Sequence, residues 1–159
     1  MHSRIFAISS DKNAMSEWTE DEVYQYLENE GVDYATEQRL GTQEFENSVK
    51  WFLDCLPKEI FQVDYQQGSF MLKKDGRDTL KLLKLNEMMM QCIDLINDRK
   101  KRDDWIQMWH LREVLAPNNG FYVGFAGNDV ELNNWDQYSW EGCPEETEFF
   151  IVQVFDYHW

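Results

Sequence analysis

Cysteine is scarce in this sequence, and its few copies stand far apart. The three residues are Cys55, Cys92 and Cys143, and no CxxC pair occurs among them. An odd number of cysteines at wide spacing excludes a disulfide framework and a zinc knuckle as the basis of the fold. We therefore expect free thiols that are buried or partly buried, in a reducing compartment.

Long apolar runs are also missing. Arg4 precedes only the short apolar run of residues 5–8, whereas a signal peptide has a longer apolar region and a small-residue cleavage site. No apolar stretch approaches the roughly 18 residues that a membrane-spanning helix needs. These absences predict a cytoplasmic protein that does not enter a membrane.

Positive charge is the third shortage. The chain has 30 acidic and 15 basic residues, which gives a net charge of −15, and no Lys or Arg follows Arg112. The negative electrostatic potential of such a chain repels nucleic acid and anionic membranes and attracts basic partners. Solubility alone explains the same charge, so both interpretations stay open. The basic run at residues 99–102 is interpreted as balancing acids on its own surface or on a second copy.

Motifs of established site chemistry do not occur. The chain has no phosphate loop, no GxSxG and no HExxH. A calcium loop starting at Asp129 is excluded, because Asn134 stands where glycine is needed and Trp140 where a bidentate glutamate is needed. We therefore predict no metal and no cofactor.

One scattered set of side chains has the composition of a nucleophilic site. Asp156 and His158 are two positions apart, so they share a face of the last predicted strand. With Cys143 from the preceding loop they would supply a nucleophile, a base and an orienting acid. A solvent-exposed pair at a strand end is the stronger interpretation, because nothing in the sequence brings the three together.

Aromatic residues, by contrast, are abundant at 15% of the chain. So many rings indicate a bulky core, with some left for a binding surface.

The clearest local signature is a helix that begins after Thr19, because Glu22 three residues later completes a capping box. Trp18 before the cap can pack on Val23 as a hydrophobic staple.

Further helices and a hairpin follow from the hydrophobic pattern. Residues 42–56 predict a second helix, residues 60–73 a hairpin that turns at Gln67-Gly68, and residues 105–115 a late helix. A long helix from Asp78 carries an apolar stripe, and the adjacent methionine run is interpreted mainly as core filling. The stripe consists of Leu82, Leu85, Met89, Cys92, Ile93 and Ile96, and the run of Met88, Met89 and Met90.

Strands are predicted at both ends of the chain, over residues 4–9, 121–125 and 148–157. The last of these is apolar on both faces, which is typical of a central strand. The order of elements predicts a single α+β domain over residues 1–159, with a mainly antiparallel sheet of about five strands packed against about four helices.

The candidate binding surface is the loop of residues 127–143, which joins two of these strands. Rings interleaved with carboxylates are the composition of contact surfaces, although the same rings could instead fold back as a lid over the core. The candidate residues are Asp129, Glu131, Trp135, Asp136, Tyr138, Trp140 and Glu141.

Two classes of function remain. The sequence favours a binding protein that occludes a basic surface of a protein partner, as inhibitors, immunity proteins and nucleic-acid mimics do, without binding nucleic acid or membrane itself. It leaves a homodimer open. The alternative is a small enzyme with scattered residues near the last strand and the loop of residues 127–143. A deep pocket with several titratable groups indicates the enzyme, and a broad acidic face with exposed rings indicates binding.

Overall fold

A computed structural model describes residues 2–28, 31–98, 122–127, 129–134 and 144–158. Within these residues the helices are α1 Glu20–Leu27, α2 Gln43–Asp54 and α3 Gly76–Asn97. The strands are β1 His2–Ser9, β2 Tyr34–Glu37, β3 Phe61–Asp64, β4 Ser69–Leu72, β5 Tyr122–Phe125, β6 Asn133–Asn134 and β7 Glu148–His158.

The seven strands of the described residues form one mixed sheet. Its order is β3-β4-β7-β1-β5-β6, and β2 also pairs with β7. The strands β1 and β5 run parallel, and the other described pairings are antiparallel. One edge of β7 pairs with β1, while its other edge is shared by β4 near the start of the strand and β2 near the end.

A β-bulge changes which residues of β7 face each side of the sheet. The register with β1 shifts between Ala7, which faces Gln153, and Ile8, which faces Ile151, so Val152 is the extra residue. An extra residue reverses the alternation of side chains along a strand. Ile151 before the bulge therefore packs on one side of the sheet, and Phe155 after it packs on the other.

Each face of the sheet is covered by a different helix. The cluster on one face contains Phe6 and Ile8 of β1 with Phe52 of α2, and the cluster on the other contains Ile5 of β1 with Val23 of α1. Burial of each such side chain contributes about 1.5–3 kcal/mol to the free energy of unfolding. Together these clusters hold α1 and α2 on opposite faces of β1 and β7.

The expected mixture of helices and strands is confirmed, and several elements match their predictions. The hairpin of β3 and β4 forms, with Gly68 at positive φ in its turn, and β7 is central. The strands β2 and β6 raise the strand count of the described residues to seven, above the predicted five or so. Both strands are short, and apolar and polar residues do not alternate along them regularly enough to predict a strand. The helix predicted over residues 105–115 and the basic run at residues 99–102 lie outside the described residues.

Two expectations about burial are wrong. Cys55 and Cys92 are free thiols, as predicted, but both residues are exposed. Met89 and Met90 are also exposed, so core filling does not account for them. Apolar residues occur around most of α3, and the parts of the helix that carry Met89 and Met90 remain exposed. No helix among the described residues is long and apolar enough to cross a bilayer.

Candidate functional site

The first turn of α1 holds an ionised carboxylate at a fixed place. The hydroxyl of Thr19 accepts a hydrogen bond from the backbone N–H of Glu22 at 3.3 Å, and the Glu22 carboxylate accepts one from the backbone N–H of Thr19 at 2.9 Å. The backbone bond from Thr19, aided by its hydroxyl, lowers the pKa of Glu22 below its ordinary value. The predicted capping box is confirmed, and it orients Glu22 beside the helix start.

Trp18, which precedes this cap, brings a distant part of the chain against α1. Its ring is buried in the same cluster as Val23, as the predicted staple requires. The ring also contacts the backbone of Gly124 in β5, so closely that no β-carbon fits at that position. The residues that follow β5 therefore pass beside the first turns of α1.

An acidic groove of about 480 Å³ lies where these two segments meet. Its lining residues are Glu17, Trp18, Glu22, Gln25, Tyr26, Gly127, Asp129 and Val130. Three of them are carboxylates, and none of these described lining residues is Lys, Arg, His or Cys. The ring of Tyr26 is exposed, while its hydroxyl donates to the carbonyl of Leu132 at 3.4 Å. The groove therefore offers negative charge beside an anchored aromatic ring.

A buried glutamine of β7 ties the groove to the sheet. Gln153 Nε2 donates to the carbonyl oxygen of Trp18 at 3.0 Å and to Oε1 of Glu37 at 2.8 Å. Glu20 of α1 accepts a hydrogen bond from the backbone N–H of Glu37 at 2.8 Å. These bonds fix the start of α1 against β2 and β7. The sequence signal for this role is that Gln153 is a polar residue within the apolar run of residues 149–155. This signal was not used to predict the site.

Of the binding residues predicted in the loop of residues 127–143, one lines this groove. Asp129 lines the groove, whereas Glu131 is exposed and is not among the lining residues. Sequence reasoning missed Glu17, Glu22 and Tyr26, although the acidic first turn of α1 was visible as a signal. The remaining candidates lie outside the described residues, and these are Trp135, Asp136, Tyr138, Trp140 and Glu141.

The proposed catalytic set is only partly described. His158 Nδ1 lies 2.8 Å from Oδ2 of Asp33, and the His158 ring stacks on Tyr34 with centroids 5.8 Å apart. Asp33 is therefore an acid partner for this histidine that the sequence did not indicate. Asp156 faces Arg4 of β1 and Thr36 of β2 in the sheet register. Cys143 lies outside the described residues, so the triad stays a prediction.

A second groove, of about 850 Å³, runs between α2 and the hairpin of β3 and β4. Its lining mixes Lys12 and Lys50 with Asp54 and with apolar side chains. The hydroxyl of Tyr65 donates to Oδ1 of Asp54 at 2.8 Å, and this bond raises the pKa of Tyr65. Because its charges are of both signs, this groove does not select a charged partner as the first groove does. Among the described residues no group of three metal-binding side chains comes together.

Comparisons with known proteins give no relative for this chain. No family model, no curated protein and no solved structure matches it significantly.

Proposed function

We propose that this protein binds a basic protein partner and acts by covering part of that partner's surface. Its action would resemble that of an inhibitor, an immunity protein or a nucleic-acid mimic, and its place would be the cytoplasm. The observation that carries the proposal is the acidic groove, which Glu17, Glu22 and Asp129 line together with the exposed residue Tyr26.

The chemistry of the groove supports recognition of lysine and arginine side chains. Three carboxylates, with no base among the described lining residues, create a negative potential that accelerates encounter with a positive surface. The Tyr26 ring provides a contact of low conformational entropy and a face for a cation. Glu22 is already held by the capping box, so little freedom is lost when a partner binds.

The net charge of −15 means that the chain as a whole, like the groove, favours positively charged partners. Nucleic acid and anionic membranes are repelled by the same potential. We therefore propose that the protein binds other proteins and does not bind nucleic acid or membranes directly.

The alternative, a small enzyme, rests on the pair formed by His158 and Asp33. A carboxylate 2.8 Å from an imidazole can orient the ring. Both residues are solvent-accessible at a strand end, and neither lines the acidic groove. The groove therefore favours binding over catalysis.

A charge-matched pair of variants tests the proposal. Glu17→Gln with Asp129→Asn removes two groove charges, and Glu44→Gln with Glu59→Gln removes two exposed charges elsewhere. Each protein is used to capture partners from the source cell, and the dissociation constant of the captured partner is then measured by calorimetry. We expect the groove variant to bind at least about tenfold more weakly and the control to bind nearly as wild type. Equal binding by both variants would remove the groove from the explanation.

A further inference from the structure

We draw no further inference here: the strongest candidate, the exposed apolar face of α3 formed by Leu82, Leu85, Met89 and Ile96, carries none because nothing in the described part of the chain shows what covers it.

Discussion

The ring of Trp18 lies against the backbone of Gly124, so that a β-carbon at position 124 would stand 2.5 Å from Trp18 Cη2. It would also stand 2.5 Å from the carbonyl oxygen of Glu131. This contact joins the start of α1 to the segment after β5, and the acidic groove lies along that junction. The shape of the groove therefore depends on glycine at position 124.

Gly124→Ala should lower the free energy of unfolding by about 1–3 kcal/mol, because the ring or the facing backbone must move to admit a methyl group. Thermal melts of the wild type and the variant measure the loss. In a Trp18→Ala background the same change should cost less, since the space vacated by the ring is available. Equal costs in the two backgrounds would show that Trp18 does not restrict the position.

Thr19→Ala should destabilise the protein by about 1 kcal/mol, the usual effect of losing an N-cap side chain. The change leaves the backbone N–H of Glu22 without its acceptor and removes the hydrogen bond that the Thr19 hydroxyl donates to the Glu22 carboxylate. Chemical denaturation provides the measurement, with Ser10→Ala as an exposed control. An unchanged midpoint for Thr19→Ala would contradict the capping box.

The start of α3 should respond to acid through Glu145. Its carboxylate accepts hydrogen bonds from the backbone N–H groups of Arg77 at 3.1 Å and Asp75 at 3.0 Å. These bonds lower the pKa of Glu145 below its ordinary value of 4.5. A lowered pKa in the folded state means that the carboxylate stabilises the protein above pH 4.5 and that this contribution is lost as the pH falls through the lowered pKa.

Glu145→Gln should therefore reduce the melting temperature at pH 7 and have little effect in strong acid, where the wild-type carboxyl is protonated as well. Melting curves at a series of pH values measure this difference. Glu146→Gln removes the same charge one residue away and serves as the control. A difference that stays constant with pH would mean that the ionised form of Glu145 is not what stabilises α3.

Binding of a basic partner to the acidic groove should weaken steeply with salt. The Debye length falls from about 30 Å at 0.01 M to about 8 Å at 0.15 M ionic strength, so charges outside direct contact lose their influence. Titrations at several salt concentrations, with wild type and the groove variant, provide the measurement. The variant should show the smaller salt dependence. Affinity independent of salt would exclude electrostatic attraction as the basis of recognition.

Local chemistry explains which parts of the fold were predictable. Thr19 and Glu22 are three residues apart, so their capping box depends on local sequence alone and was predicted correctly. The strand β7 was recognised because both of its faces are apolar. The shift of alternation at Val152 was not predicted, because a bulge depends on the register with β1.

The candidate site, by contrast, was not predictable from local sequence. Asp129 was predicted as a binding residue, but its neighbours Glu17 and Glu22 are more than a hundred positions away in sequence. The packing of Trp18 on Gly124 and the hydrogen bond from Tyr26 to Leu132 bring them together. Glu145 likewise reaches the start of α3 from 68 residues beyond Arg77. Such pairs arise from chain topology, which hydrophobic periodicity does not specify.

The sequence by itself determined the negative charge, the positions of most helices and strands and the apolar stripe of α3, since each depends on composition or on residues within a few turns of one another. Tertiary structure decided which surfaces these elements present. Leu82, Leu85 and Ile96 of α3 have the pattern of a buried face, yet all three side chains are exposed, while Leu95 of the same helix is buried. Periodicity shows that a face is apolar, and only packing decides whether the chain itself covers it.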